Sequence, residues 1–154
     1  MTIALREAIQ GDLNKLRVFE QNLIQYERPF ASNLKEDPIE YYDLSDLIKR
    51  PDARVVVAEV SGEIVGSGYA LIKRSVEYKK PDTYAYLGFM YVIPEFRGKG
   101  VNGTIIDDLA QWAKKQNINE LQLDVYAENK AAISAYSKRN FKADLLKMRW
   151  NFED

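Results

Sequence analysis

The stretch Pro94-Glu95-Phe96-Arg97-Gly98-Lys99-Gly100-Val101-Asn102-Gly103-Thr104-Ile105-Ile106 lies between an aromatic, β-branched run, Tyr84 to Ile93, and an amphipathic helical pattern. Glycine-rich text between a strand and a helix is a common way for a chain to hold phosphate, because free backbone N–H groups and the helix dipole favour an anion there. Three geometries compete for it. A Walker A loop needs Gly, four residues, Gly, Lys and then Ser or Thr; Gly98 and Gly103 have the spacing, but Thr104 stands where the lysine is required. Gly98, Gly100 and Gly103 also spell the dinucleotide fingerprint G-x-G-x-x-G, with Asp124 about 20 residues further on. In that fold the first glycine follows its strand directly, whereas Pro94-Glu95-Phe96-Arg97 intervene here, and the parallel half-sheets do not fit before residue 154. The third geometry is a loop, Arg97 to Gly103, that wraps a pyrophosphate at the start of the helix.

Outward from the loop, Ile105, Leu109 and Trp112 beside Ile106, Ala110 and Ala113 make one apolar helical face, opposite Asp107, Asp108, Gln111, Lys114 and Lys115. Leu121, Leu123 and Val125 alternate with Gln122 and Asp124 as a strand reaching Tyr126. A helix covers Lys130 to Arg139, and Ala143 to Phe152 reads as a last strand or two. Upstream, Ile3 to Ala8 is a short strand, and Asp12 opens a helix carried by Leu13, Leu16, Phe19, Leu23 and Ile24 that should stop before Pro29. Tyr26 to Asp46 is polar and irregular, followed by a short amphipathic piece through Leu44, Leu47 and Ile48. Arg54 to Val60 and Glu63 to Lys73 form a β-hairpin around Ser61-Gly62. The order is β-α-α-β-β-β-α-β-α-β, without repeat, linker or low-complexity tract, so the expectation is one domain over residues 1–154.

Composition removes whole classes of chemistry. Histidine and cysteine are both absent, which excludes Ser-His-Asp and Cys-His catalysis, thiolate or imidazole zinc sites and disulfides; no metal is expected. A net charge of -1 offers no global attraction for nucleic acid or an anionic membrane. No run approaches ~18 uninterrupted apolar residues. Neither nucleic acid nor membrane is therefore expected as a partner, and the compartment expected is the cytoplasm.

The loop resembles motif A of the GNAT superfamily of acetyl-CoA-dependent N-acyltransferases, Gln or Arg, two residues, Gly, one residue, then Gly or Ala. Arg97 and Gly100 match it, and Met90-Tyr91-Val92-Ile93-Pro94-Glu95-Phe96 is similar to the strand and turn that lead into it. The last slot holds Asn102, with Gly103 one place later. Leu121-x-Leu123-x-Val125 followed by Asn129, Ala132 and Tyr136 resembles motif B, and Asn140-Phe141 stands where the family commonly has Gly-Phe. Arg6-Glu7-Ala8 with Asp12 is similar to the family's opening.

The resemblance implies a GNAT-like α/β (α+β) fold with a central mixed, mostly antiparallel sheet, flanking helices, and two splayed parallel strands, Tyr84 to Ile93 and Leu121 to Tyr126. It implies acetyl-CoA as cosubstrate. Met90 and Val92 would pair with the pantetheine arm, an N–H near Met90 to Tyr91 would bond the thioester carbonyl, and Arg97, Gly98, Lys99, Gly100, Val101, Asn102 and Gly103 would hold the pyrophosphate, with Asn129 and Tyr136 completing the cofactor set. Tyr136 matches the family's tyrosine acid; a phenol of reference pKa about 10 keeps its proton at neutral pH and can donate to a leaving thiolate. Many relatives place a Glu on the central strand where this chain has Tyr86, so the base is a water chain ending on Tyr86, on Glu27 or Asp124, or bulk solvent. With no cysteine to carry an acyl group, attack in a ternary complex follows.

Each residue also has a plainer reading. Tyr136 could pack an interior, Asn129 could cap a helix, and Arg97 and Lys99 could be solvated surface. The competing function is a CoA-binding module without catalysis. The acceptor is a small-molecule or peptide amine. The carboxylates of the 26–46 segment, Glu27, Glu36, Asp37, Glu40, Asp43 and Asp46, face only Arg28 and Lys35 there and favour a cationic one. Tyr26, Tyr41, Tyr42 and Tyr86 are the tyrosines considered for its pocket, and a homodimer is compatible with all of this.

Overall fold

Strand β1 (Ala4–Glu7) lies antiparallel to β2 (Ala53–Val60), which forms a hairpin with β3 (Glu63–Arg74); β3 pairs antiparallel with β4 (Thr83–Val92), and β4 pairs parallel with β5 (Leu121–Gln122). The sheet order is β1-β2-β3-β4-β5, mixed and mostly antiparallel as expected. These relations come from a computed structural model that describes all residues, Met1–Asp154. The hairpin turns where Ser61 and Gly62 take φ of 52° and 79°, the left-handed conformation that a tight connection between twisted strands requires.

Helices α1 (Leu13–Glu27) and α2 (Leu44–Lys49) cover one face of the sheet. Leu16, Phe19 and Leu23 of α1 and Leu44 and Leu47 of α2 join Val55, Val57, Tyr69, Phe89 and Tyr91 in one buried cluster. Helix α3 (Val101–Lys115) lies on the other face, where β3 carries glycine. A Cβ on Gly68 would meet Ile105 Cγ2 at 2.7 Å and Met90 Sδ at 2.8 Å, so the missing side chain is what lets α3 seat this closely. Arg54 of β2 and Asp108 of α3 form a two-bond ion pair at 2.8 and 3.2 Å. At the opposite edge Arg6 bonds both oxygens of the buried Asp12 at 2.9 Å and Glu59 at 3.1 Å, which ties β1 to β2 and to the start of α1.

The chain divides into two compact units, Met1–Asp124 and Val125–Asp154. In the second, α4 (Lys130–Ser137) is capped by Asn129, whose side-chain oxygen accepts the Ala132 N–H at 3.2 Å. Asn140 takes φ 73°, the left-handed helix stop expected of it.

Two strand expectations are corrected. The strand expected to run to Tyr126 is paired only over Leu121–Gln122. Ala143 to Phe152, expected as a last strand or two, carries no strand at all. Alternation specifies which face of a strand is apolar, but a strand exists only where a partner supplies the ladder.

Candidate functional site

The loop after β4 begins as a 3₁₀ turn, Pro94–Phe96, and reaches α3 through two left-handed glycines, Gly98 at φ 74° and Gly100 at φ 86°. Gly100 is the N-cap of α3. A Cβ built on either glycine would meet nothing within 4 Å, so the space in front of the backbone is open. The first intrahelical bond runs from the Thr104 N–H to the Gly100 carbonyl at 3.0 Å, which leaves the N–H groups of Val101, Asn102 and Gly103 at the tip of the helix. Asn102 is therefore helical, and the slot that departs from the motif makes no demand for glycine. The Arg97 guanidinium lies 5.1 Å from the Tyr26 ring and 5.6 Å from the Tyr91 ring, and the Lys99 ammonium 5.2 Å from Phe96. Three main-chain donors, a helix dipole, two cations and an unfilled backbone surface make a donor set that fits a pyrophosphate.

The strand leading into this loop changes phase. The Ala85 N–H bonds the Glu120 carbonyl across to β5, whereas the Ile93 N–H, eight residues later by numbering, bonds Val65 of β3. Regular alternation would point both the same way. The switch is a bulge, seen as a register shift opposite Ser67 and Tyr69, at which Phe89 takes φ 56° while almost fully buried. A bulky residue in that conformation costs on the order of 1–3 kcal/mol and persists only where its surroundings hold it. Here the Tyr42 hydroxyl accepts the Phe89 N–H at 3.2 Å and the Ser67 hydroxyl donates to the Phe89 carbonyl at 3.1 Å. Past the bulge the alternation turns the main-chain groups of Met90 and Val92 away from β3, to the side on which the ladder with β5 ends at Tyr86. The Val92 carbonyl already accepts from Arg97 Nε at 2.9 Å, and Tyr91 packs inward on Phe19 with ring centroids 5.0 Å apart.

Upstream of the bulge the surroundings are acidic and phenolic. Tyr86 donates its hydroxyl proton to Asp124 at 3.1 Å, and the Lys73 ammonium lies 4.3 Å from its ring centroid. Burial, and then the charge of Asp124, push the Tyr86 phenol well above its ordinary range, so it holds its proton and Asp124 is the proton acceptor of the pair. Tyr42 and Tyr69 are raised likewise, chiefly by burial. The Glu27 carboxyl is pushed up by burial, with the Tyr41 hydroxyl acting in the opposite sense, and its charge bears on both Tyr42 and Tyr86. Two carboxylates and three tyrosines thus act on one another around this end of β4.

The rest of the acidic segment is engaged elsewhere. Asp37 pairs with Arg28 at 2.7 Å, Asp43 caps α2 through the Asp46 N–H, and Asp46 pairs with Arg50 at 3.5 Å. Glu36 and Glu40 are at the exposed surface. Tyr26, considered for the acceptor pocket, has its ring 5.1 Å from the Arg97 guanidinium.

In the second unit, Tyr136 is half-buried, packs edge-on to Phe141 with centroids 5.7 Å apart, and accepts the Phe141 N–H at its carbonyl. Asn129 is buried and committed to its cap, the plainer of its two readings, which by itself leaves its other contacts open.

Sequence reasoning missed the supports of the bulge. Glu20, 3% exposed, accepts the main-chain N–H groups of Tyr41 and Tyr42, the latter at 3.0 Å, and so fixes the tyrosine that holds Phe89. Its signal was available: a carboxylate four positions after Leu16, on the apolar stripe of α1, needs donors. Nothing in the sequence marks Phe89 as left-handed. Glu20, Tyr41, Tyr42 and Arg17 also line a surface cavity of about 460 Å³.

The profile of the acetyltransferase (GNAT) family matches residues 19–141. A curated bovine protein, thialysine N-epsilon-acetyltransferase from Bos taurus, is 30% identical over 87% of this chain and 81% of its own. An N-acetyltransferase of Methanocaldococcus jannaschii is 30% identical over 68% of this chain, but the match spans only 46% of that relative's length. Among solved structures, that of a predicted acetyltransferase from Clostridium acetobutylicum with acetyl-CoA superposes with a TM-score of 0.72 at 18% identity, over 99% of this chain and 97% of the other.

Proposed function

The chain belongs to the GNAT acetyltransferase family, and on that premise we propose that residues 1–154 are one N-acetyltransferase domain that moves an acetyl group from acetyl-CoA to a primary amine by direct attack in a ternary complex. The observation that carries the reading is the unpaired stretch of β4 beyond the bulge, running straight into two left-handed glycines and an open helix N-terminus. An edge strand pairs with an extended pantetheine arm as it would with an added strand, and the helix tip takes the pyrophosphate.

Acetyl-CoA supplies the thioester; this chain supplies the positions and protons. Met90 and Val92 align the arm, and an N–H near Met90 to Tyr91 faces the developing oxyanion. Gly98, Gly100, Val101, Asn102 and Gly103 bind through main-chain groups, Arg97 and Lys99 through charge, and Asn129 from the start of α4. As the amine nitrogen bonds the carbonyl carbon and the carbon–sulfur bond breaks, Tyr136 gives its proton to the sulfur. The proton lost by the amine leaves toward the Tyr86–Asp124 pair, with Asp124 as its acceptor. Glu27 and Asp124 favour a cationic amine, and the lysine-like substrate in the bovine relative's name supports that class.

Melting curves test the first step: acetyl-CoA and CoA should raise the midpoint by mass action while NAD should not. A rise with NAD alone would move the loop to the dinucleotide reading. Thiol release across a panel of amines tests the second. The replacement of a strand Glu by Tyr86 favours one alternative, a CoA-binding module without turnover, and binding with no release for any amine would establish it.

A further inference from the structure

At the acceptor end of β4 one cation has no carboxylate of its own. Lys73 is exposed, and its ammonium rests 4.3 Å from the centroid of the Tyr86 ring. Arg6, Arg28, Arg50 and Arg54 are each tied to a carboxylate, whereas Lys73 enters no ion pair. The ring beneath it is a neutral phenol, because burial and the charge of Asp124 hold the Tyr86 proton in place. It attracts the ammonium through its π face without cancelling the charge.

The ladder accounts for this position. Lys73 pairs with Tyr84 and Leu71 with Tyr86, so Lys73, Leu71 and Tyr86 share the face of the sheet on which α1 and α2 pack. Leu71 is half-buried against the core there; Lys73, two residues on toward the end of β3, is in water. The same phenol donates to Asp124 at 3.1 Å, and the charge of Glu27 acts on it as well. One fixed cation and two carboxylates therefore act on a single ring. An amine drawn in by the carboxylates brings a second cation beside Lys73, and like charges so placed repel each other. An acceptor that carries its own carboxylate removes that conflict.

We propose that the preferred acceptor is a zwitterion, a primary amine with a carboxylate at the far end of a short flexible chain, and that Lys73 is the residue that reads the carboxylate. The inference rests on the acetyl-transfer reading and narrows its acceptor. The ammonium goes to Glu27 and Asp124 and the carboxylate to Lys73, with the Tyr86 ring between the two subsites. A diamine of the same length meets Lys73 with the wrong sign, so the site discriminates by repulsion as well as by attraction.

The test measures thiol release with γ-aminobutyrate, δ-aminovalerate and ε-aminocaproate, each beside its own amide and the diamine of equal length. The ratio of kcat/KM between acid and amide is read within one preparation, so it does not depend on how much of a variant folds. In the unmodified chain the acid should lead by about tenfold at the best length, mainly through KM, and the lead should shrink as salt rises. Lys73→Met should bring acid and amide level, and Lys73→Glu should invert the order and make the diamine the best substrate. Lys114→Met, on α3 at the other face of the sheet, should leave the ratio unchanged. A second readout needs no turnover: with CoA present, the best acid should raise the melting midpoint of the unmodified chain and not that of Lys73→Glu. Equal release from acid and amide, a preference for amines without a carboxylate, or an acid preference that survives Lys73→Glu overturns the inference and leaves acetyl transfer standing. No release from any amine overturns acetyl transfer itself, and the inference with it.

Discussion

The two ends of β4 differ in almost every physical respect. At Tyr84–Tyr86 the strand is paired on both sides, its neighbours are phenols and carboxylates, and Tyr86 is tied to Asp124. At Met90–Val92 it is paired on one side only, its neighbours are Arg97 and main-chain N–H groups, and the left-handed Phe89 separates the two regimes. Under the proposed function, the contrast would let one strand serve two substrates of opposite charge: an anionic donor would meet positive dipoles past the bulge, and a cationic acceptor would meet negative charge before it. The bulge is the divider, since it reverses which main-chain groups face the opening.

The largest effect should come from damaging the donor end alone. Gly100→Asp puts a side chain and a negative charge into the open space at the helix tip, so CoA affinity should fall by at least ~10²-fold, about 2.7 kcal/mol, while the melting midpoint without ligand falls by only a few degrees, the cost of a side chain at φ 86°. Calorimetric titration giving normal affinity would remove the pyrophosphate from this loop.

Next, Tyr136→Phe tests chemistry apart from binding. Turnover should drop roughly 10²-fold with CoA affinity within a few fold, the scale of a single acid-base contact. Stopped assays with the best amine decide it, and undiminished turnover returns Tyr136 to packing against Phe141.

At the acceptor end, Glu27→Gln and Asp124→Asn should each lower kcat/KM for a cationic amine by about tenfold, mainly through KM and less at high salt. Asp37→Asn and Asp43→Asn, whose carboxylates are held by Arg28 and by the α2 cap, should leave it nearly unchanged. Equal effects from all four would dissolve the distinction between the ends. Stability should move in the opposite direction for Glu27. Its carboxyl is raised in the folded protein, so the folded state binds that proton more tightly than the unfolded one. The favourable contribution is full below the unfolded value of about 4.3 and is lost as pH rises through the folded value. Glu27→Gln should therefore flatten the melting midpoint between acid and neutral pH, as scanning calorimetry across that range would show.

The smallest effect on turnover concerns the divider. Tyr42→Phe strips the acceptor from the buried Phe89 N–H, at a cost of about 1–3 kcal/mol in denaturant unfolding, with only a modest loss of turnover if Ser67 keeps the bulge in place. A collapse of both donor and acceptor binding would mean that the bulge organises both ends.

Much of this was legible because local chemistry decided it. The glycines at 98 and 100, the helical periods of α1 and α3 and the hairpin turn at Ser61-Gly62 state their conformations without reference to distant residues, and all adopt them. The strand order followed from the alternation, up to the pairing itself. The early end of β5 and the missing strand at 143–152 were not legible, because ladders belong to two segments at once and a single sequence names only one. The same limit hid the bulge: Tyr42 sits in a polar stretch without period, and its partner Phe89 looks like any aromatic strand residue until Tyr42, held by Glu20, is brought beside it. The site was readable where a residue acts through its own backbone and unreadable where it acts through another's.

The bare backbone at Gly68 has a mechanical meaning. Ile105 of α3 and Met90 of β4 both rest in the volume a methyl group would take, one belonging to the helix whose tip is proposed to take the pyrophosphate and the other to the strand whose edge is proposed to take the arm. A single added carbon on β3 would therefore act as a wedge driven between them, moving anchor points for both ends of one long ligand while touching neither. If the donor binds as proposed, tolerance to change at this position is set by the length of that molecule, through a residue it never meets.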